Sequence, residues 1–139
     1  MTEVFTAETT IDRPVDAVWA RLIDWDFATE WMSGVEALRA HGPTAVGTTL
    51  VFTTRGKERT GQIAALDPGR SITLRSLQGG VTADYVYVCA RHGDSTRVSL
   101  VADCRITGPV RLLGPVIRSA IRRADSGQLD AFAATFALE

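Results

Sequence analysis

Five glycine-containing turns cut the middle of this chain into short segments, and this spacing limits the possible fold more than any other feature. The turns are Gly42-Pro43, Arg55-Gly56-Lys57, Asp67-Pro68-Gly69, Gln78-Gly79-Gly80 and His92-Gly93-Asp94. The segments between them have the composition of strands: Val35–His41, Gly47–Arg55, Glu58–Leu66, Ser71–Leu77, Val81–Arg91 and Ser95–Ile106. Because a parallel crossover needs a dozen residues or more, connections this short predict an antiparallel meander.

Helical patterns lie on both sides of the meander. Glu3–Ile11 predicts a first strand, and Pro14 predicts the start of an amphipathic helix after it. A second short helix is predicted at Asp26–Met32. Pro109–Glu139 returns to the helical period and predicts one long helix, which Gly114-Pro115 should kink or delay. The expected fold is therefore α+β, with a seven-stranded curved antiparallel sheet wrapped around a long C-terminal helix and two short helices after strand 1.

Alternation along the last two strands predicts a sheet with one apolar face. A two-residue turn at Gly93-Asp94 pairs Cys89 with Val98 and Ala83 with Cys104. This register places the cysteines roughly 20 Å apart at strand rise, so we expect reduced thiols. It also places two apolar sets on one face: Val81, Ala83, Tyr85, Tyr87 and Cys89 on one strand, and Val98, Leu100, Ala102, Cys104 and Ile106 on the next.

The long C-terminal helix is the only predicted element large enough to cover that face. Its predicted buried stripe has small residues at the centre, namely Ala120, Ala124, Gly127 and Ala131. Short side chains under a bent sheet favour a cavity, whereas close packing of helix on sheet is the alternative interpretation. Gln128 is the strongly polar side chain of the stripe, and it is expected either to contact a ligand or to be satisfied in the core.

Composition excludes several classes of protein. With 139 residues and 45% hydrophobic composition, the chain is expected to form one domain over residues 1–139. Its 15 basic and 16 acidic residues give a net charge of −1, which argues against a nucleic-acid partner. Residues 1–10 do not resemble a signal peptide, and no stretch approaches the ~18 apolar residues of a membrane span. We therefore expect a cytoplasmic protein without stable membrane insertion.

The residues that usually carry chemistry do not form a motif. His41 and His92 have no acid or cysteine at metal-ligand spacing, and no serine or cysteine lies in a nucleophile motif. Asp84 and Asp103 have the parity of the wet face, which argues against a buried acid-base pair. Arg59 is expected to be solvated near a hairpin tip. We therefore predict no metal, no cofactor and no assigned catalytic residue.

Two stretches resemble a known family. Thr10–Trp19 (TIDRPVDAVW), Leu22-Ile23-Asp24 and Trp31 resemble the opening of the START-like or SRPBCC superfamily, in its bacterial polyketide cyclase/dehydrase and lipid transport branch. Gly108–Pro115 is similar to the entry of the C-terminal helix in small actinobacterial members. The resemblance implies a helix-grip fold like that of the birch pollen allergen, with a pocket under the long helix. It also implies ligands such as lipids, sterols, plant hormones or polyketides.

Three functions follow as hypotheses. The first is the binding of a small hydrophobic or amphipathic molecule, lipid or polyketide-like, between the sheet and the C-terminal helix. The second is an enzyme of aromatase/cyclase or dehydratase type that uses neither metal nor nucleotide cofactor. The third, suggested by the resemblance, is a regulatory interaction protein such as a toxin-antitoxin partner. The predicted ligand-binding residues are Trp31, Phe52, Tyr85, Tyr87, Leu100, Cys104, Ile117, Ile121, Ala124 and Gln128.

The outer side of the last helix leaves further partners open. It is basic and adjoins apolar side chains, which is compatible with transient contact with an anionic membrane or with a merely solvated surface. The residues are Arg111, Arg118, Arg122 and Arg123, with Leu112 and Val116 nearby. Both a monomer and a homodimer are compatible with the sequence.

Overall fold

The computed structural model describes residues 2–32 and 34–137, apart from the side chains of Thr2 and Ala124. Seven strands form one antiparallel sheet in the order β1-β7-β6-β5-β4-β3-β2. This arrangement confirms the predicted α+β helix-grip fold. The strands are β1 (Thr2–Ile11), β2 (Val35–Ala40), β3 (Thr49–Thr54), β4 (Lys57–Asp67), β5 (Ser71–Gln78), β6 (Val81–His92) and β7 (Ser95–Ile106).

The register of β6 and β7 agrees with the one expected from the turn between them. Cys89 lies opposite Val98 and Ala83 lies opposite Cys104, so the apolar sets of both strands share a face. Both cysteines are buried and free. β1 pairs with the outer side of β7, which makes β1 and β2 the two edges of the sheet. The concave face is therefore continuous from β1 to β2.

The helical segments are shorter than the sequence pattern suggests. After β1 come α1 (Val15–Leu22) and a 3₁₀ helix (Trp25–Glu30), where the sequence predicts two short helices. The C-terminal segment contains a second 3₁₀ helix (Gly108–Leu113), α2 (Gly114–Asp125) and α3 (Gln128–Ala137). The expected delay of the helix start at Gly114-Pro115 agrees with the start of α2, but the prediction of one long helix beyond that point is wrong, because the helix is interrupted between Asp125 and Gln128. Glycine is a poor helix former, and α2 ends just before Ser126-Gly127.

This break changes which side chains of the C-terminal segment are buried. In α3 the buried residues are Gln128, Leu129, Phe132 and Phe136, a face turned by roughly a quarter of a turn from the predicted stripe. Ala120 is exposed and Arg118 is partly buried, the reverse of the prediction for each. A helical wheel assumes a constant angle between successive residues of the whole segment. The interruption at Gly127 changes that angle, so the wheel predicts the wrong buried face for the residues after it.

Aromatic side chains fill the part of the concave face under α3, which lies against β1 and β7. The ring of Trp31 lies 4.9 Å from that of Phe132 and 5.9 Å from that of Tyr87, and Phe132 lies 5.4 Å from Phe136. Leu129 and Phe132 are at most 1% exposed. This end of the molecule is a close-packed core.

One acidic residue on the opposite face of the sheet departs from its predicted surroundings. Asp84 is 8% exposed, although its parity predicts a water-facing side chain. Arg75 on β5 lies opposite it and donates Nε and Nη2 to the two carboxylate oxygens, at 2.7 and 2.9 Å. The bidentate pair satisfies both carboxylate oxygens, because the guanidinium presents two parallel N–H groups to them. Asp84 is therefore a structural ion-pair partner on the face away from Tyr85.

Within residues 2–32 and 34–137, no helix has the length and apolar character that a membrane span requires.

Candidate functional site

A cavity of about 510 Å³ lies between the sheet and the junction of α2 with α3. Five strands, β2 to β6, supply most of its wall, and the helices contribute one residue each. Most of the strand residues are apolar or small, whereas the helix residues are polar. The lining residues are Met32, Gly34, Val35, Leu38, Leu50, Phe52, Thr54, Arg55, Gly61, Gln62, Leu74, Arg75, Ser76, Tyr85, Tyr87, Asp125 and Gln128.

A glycine in β4 brings the strands together where the wall of the cavity bends. A Cβ atom at Gly61 would lie 2.5 Å from the carbonyl oxygen of Arg75 and 3.7 Å from Cε1 of Phe52. Only glycine fits that approach, and glycine inside a strand is typical of a sharp bend. The pairing of β4 with β5 is also irregular between Ile63 and Ala65. These two features curve the sheet around the cavity. The curved wall encloses more space than its side chains fill.

Four polar side chains form a hydrogen-bonded chain at the helical wall of the cavity. The Tyr85 hydroxyl donates to Oδ2 of Asp125 at 2.7 Å, and Nε2 of Gln128 donates to Oδ1 of Asp125 at 3.1 Å. The Tyr87 hydroxyl donates to Oε1 of Gln128 at 2.6 Å. Tyr85 and Tyr87 come from the same face of β6, whereas Asp125 and Gln128 lie on either side of the helix break. Residues three positions apart are neighbours on a helix surface, and Asp125 and Gln128 keep this proximity across the break and reach β6 together.

Burial changes the acid-base properties of this chain of side chains. Desolvation raises the pKa of Asp125, and the hydrogen bonds from Tyr85 and Gln128 only partly oppose it. The pKa values of Tyr85 and Tyr87 are raised as well, first by burial and then by the negative charge of Asp125. Both phenols therefore keep their protons, and Asp125 is the group of the four whose protonation state is most readily changed.

The sequence matches the polyketide cyclase / dehydrase and lipid transport family over residues 2–137. The chain belongs to this family. No curated protein matches it significantly. Among solved structures, the Zhui aromatase/cyclase from Streptomyces sp. R1128 is similar with a TM-score of 0.76 and 16% identity, over 95% of this chain and 92% of that one.

Two further solved structures share the fold of this polyketide cyclase / dehydrase and lipid transport family member. TTHA0849 from Thermus thermophilus aligns with a TM-score of 0.74 and 18% identity, over 96% of both chains. Truncated norcoclaurine synthase from Thalictrum flavum aligns with a TM-score of 0.66 and 18% identity, over 96% of this chain and 94% of that chain. At such identities the likeness establishes the fold.

The structure brings four of the predicted ligand-binding residues of this family member to the cavity: Phe52, Tyr85, Tyr87 and Gln128. The side chain of Ala124 lies outside the described part of the chain. Ligand contact by any of these residues stays a prediction. The cavity lining does not include the other five, which are Trp31, Leu100, Cys104, Ile117 and Ile121.

Those five residues have other surroundings for identifiable reasons. Leu100 and Cys104 lie on β7, at most 1% exposed, where the closer-packed part of the sheet begins. Ile117 and Ile121 of α2 are only partly buried. Trp31 packs against Tyr87 and lines a second, more open groove of about 410 Å³, together with Arg123 and Gly127.

Asp125 is the site residue that sequence reasoning missed. The helical wheel of an unbroken helix does not place it on the buried stripe. One signal for its position is in the sequence, because Ser126-Gly127 directly follows it and is typical of a helix end. Leu50 and Leu74 also line the cavity: Leu50 has the same strand parity as Phe52, and Leu74 lies opposite Tyr85.

Arg59 on β4 also differs from its prediction as a solvated cation. It is partly buried and donates Nη1 to Oε1 of Gln78, whose Nε2 donates to Ser76 at 3.4 Å. Ser76 lines the cavity, so this chain of polar groups lies beside it. The described parts of the chain contain no cluster of three or more histidine, cysteine or acidic side chains.

Proposed function

We propose that the protein binds one small hydrophobic or amphipathic molecule, lipid or polyketide-like, in the cavity between the sheet and the C-terminal helices. The observation that carries the proposal is a hollow of about 510 Å³ with four hydrogen-bonded polar side chains at its helical wall. Ligand sites in proteins are typically concave, mostly apolar and roughly 300–1,000 Å³ in volume, with a few polar groups that fix orientation. Membership in a family described by polyketide cyclisation and lipid transport supports the same class of ligand.

Native mass spectrometry of the protein purified from its own host tests this proposal. We expect a co-purifying small molecule in one-to-one ratio. Leu74→Trp should abolish its uptake, because the larger side chain occupies the cavity that Leu74 lines. Leu112→Trp is the matched control, since Leu112 is 85% exposed and the same change there leaves the cavity unaltered. Equal loading of both variants would contradict the proposal.

A second candidate function is an enzyme of cyclase or dehydratase type, and Asp125 favours it. Burial raises the pKa of the Asp125 carboxyl group, which makes it a stronger base than an exposed aspartate, and Asp125 lies in the cavity wall. In the dehydration of a β-hydroxy ketone, Asp125 would accept the proton of the carbon next to the carbonyl. The electron pair of that C–H bond would form the carbon–carbon double bond as the bond between the β-carbon and its oxygen breaks, and the β-hydroxyl group would leave as water with the proton that Asp125 returns.

A β-hydroxy ketone that dehydrates to a conjugated, strongly absorbing product tests the enzyme hypothesis. Under that hypothesis Asp125→Asn lowers the rate by roughly 10²–10⁴-fold, the usual contribution of a general acid or base. Asp130→Asn is the control, because Asp130 is an exposed acid in the first turn of α3. No turnover in the wild type, or equal turnover in both variants, would leave only the binding function.

We also propose that the segment around the second 3₁₀ helix contacts an anionic membrane transiently when the ligand is exchanged. Leu112, Leu113 and Val116 are 85%, 56% and 64% exposed. Residues 104–124 contain five arginines and no acidic residue, so the charge of this segment complements anionic lipid. Vesicles containing phosphatidylglycerol should co-sediment the wild type, whereas Leu112→Asp should not sediment. Equal sedimentation with neutral phosphatidylcholine vesicles would contradict this proposal.

A further inference from the structure

The carboxylate of Asp125 determines the direction of the three hydrogen bonds that link Tyr85, Asp125, Gln128 and Tyr87. An ionised carboxylate can only accept, so both groups that contact it must donate. The Tyr85 hydroxyl therefore directs its single proton at Oδ2, and the Gln128 amide directs Nε2 at Oδ1. The orientation of the Gln128 amide, which cannot be read from atom positions alone, follows from the same condition.

The orientation of the Gln128 amide then determines the direction of the hydrogen bond that Tyr87 makes. With its nitrogen directed at Asp125, Gln128 presents Oε1 to the Tyr87 hydroxyl, 2.6 Å away. An amide oxygen accepts, so the hydroxyl of Tyr87 donates its single proton. Both phenol protons of the cavity wall are therefore used within the protein.

The remaining hydrogen-bonding capacity of the wall consists almost entirely of acceptors. Each phenol oxygen keeps lone-pair capacity, and each carboxylate oxygen has about two acceptor positions, of which the chain uses one. The second N–H of Gln128 is the one donor that the four side chains leave over. A ligand carbonyl or ether placed here would bring one more acceptor to a group of acceptors, and a buried acceptor without a donor costs about 1–3 kcal/mol.

We infer that the ligand is an apolar molecule that carries a hydroxyl group, and that this hydroxyl donates to the acceptor wall formed by Asp125, Tyr85 and Tyr87. The inference rests on the proposed binding function and narrows its ligand class. A neutral hydroxyl fits better than an ammonium group, because Asp125 already has two donors and a second buried charge would have to be desolvated. The apolar remainder of the molecule would lie against Leu50, Phe52 and Leu74.

Two probes of nearly equal size test the inference by calorimetric titration. The first probe, 2-naphthol, carries a hydroxyl donor, and the second, 2-fluoronaphthalene, replaces that hydroxyl with a group that cannot donate. We expect 2-naphthol to bind the wild-type protein at least tenfold more tightly. The comparison is repeated in Asp125→Asn, whose side chain has nearly the same shape but adds an N–H donor at the wall. The preference should fall below threefold there and stay at its wild-type value in Asp130→Asn.

Each outcome separates the inference from the binding function. Equal affinity of the two probes for the wild type would overturn the inference and leave the binding function intact. A preference that Asp125→Asn does not change would also overturn it, because the hydroxyl would then be recognised elsewhere. If neither probe binds, the inference fails, whereas the binding function is decided by native mass spectrometry with the Leu74→Trp and Leu112→Trp variants. Thermal unfolding of each variant confirms that the comparison concerns folded protein.

Discussion

The two halves of the concave face differ in how they are covered. Under α3 the space is filled by Leu129, Phe132 and Phe136, with Trp31 packed among them. Toward β2 and β3 the same face is covered by the junction of α2 and α3, which contributes Asp125 and Gln128 and leaves a cavity of about 510 Å³. The sheet is continuous across both halves, so the side chains of the covering elements decide which half is solid.

Tyr87 and Gln128 mark the boundary between the two halves. Tyr87 contacts the ring of Trp31 on the packed side and lines the cavity on the other side. Its hydroxyl is held by Gln128, the first residue of α3. The comparison predicts that substitutions in the packed half mainly change stability, whereas substitutions in the cavity half mainly change binding.

The largest difference in stability between the two halves is expected when an aromatic ring is removed. Phe132→Ala should lower the free energy of unfolding by about 3–5 kcal/mol, because Phe132 is fully buried and its loss opens a cavity in a close-packed core. Phe52→Ala should cost about 1 kcal/mol, because Phe52 is partly buried and already faces a cavity. Urea denaturation measures both changes. Similar losses would contradict the distinction between a solid half and a hollow half.

The next largest difference in stability between the two halves is expected when a leucine is replaced by tryptophan. Leu129→Trp should destabilise the protein by about 1–3 kcal/mol, since the packed half has no room for the extra atoms. Leu74→Trp should change stability by less than about 1 kcal/mol, because its ring can enter the cavity. Denaturation midpoints at equal m-values test this expectation. A larger cost at Leu74 than at Leu129 would show that the cavity half is the more tightly packed one.

Removal of one tyrosine hydroxyl tests where the boundary between the packed half and the cavity half lies. Tyr87→Phe leaves Oε1 of buried Gln128 without its donor, and a loss of about 1–3 kcal/mol is expected. Tyr85→Phe should cost less, because Asp125 keeps its hydrogen bond from Gln128 and borders the cavity, where water can reach it. The same denaturation experiment compares the two variants. A larger loss for Tyr85→Phe would place the boundary elsewhere.

The smallest expected effect is a change in how the free energy of unfolding depends on pH. Burial raises the pKa of Asp125 above its ordinary value of 3.8, so the folded protein binds this proton more tightly than the unfolded chain. The resulting stabilisation is complete below the unfolded pKa and is lost as the pH rises through the folded pKa. Asp125→Asn cannot titrate, so its stability relative to the wild type should increase from about pH 3.5 to pH 7. A constant difference across this range would contradict the raised pKa.

The sheet could be predicted well from the sequence because its signals are local. Glycine-containing turns and period-two alternation set the pairing of β6 with β7, including the opposition of Cys89 and Val98. Tyr85 and Tyr87 were placed on the cavity face for the same reason. These features depend on neighbouring residues of one hairpin, so no knowledge of the remaining fold was needed.

The helical side of the site could not be predicted because it depends on one interruption. Ala120 and Gly127 were expected to leave room at the centre of a continuous helix, yet both are exposed and neither lines the cavity. The cavity lies instead between the strands that approach closely at Gly61 and the helix break, on either side of which lie Asp125 and Gln128. The close approach at Gly61 depends on contacts between neighbouring strands, and the helix break changes the phase of the helical wheel, so periodicity alone predicts neither.

Methyl-selective nuclear magnetic resonance during a titration with 2-naphthol tests the central claim most directly. The hollow half is proposed to bind the ligand and the packed half to stay unchanged. We expect the largest shift changes at Leu38, Leu50 and Leu74, which line the cavity, and little change at Leu129 and Val98 in the packed half. Changes centred on Leu129 and Val98, or on the exposed Leu112, would contradict the proposed site.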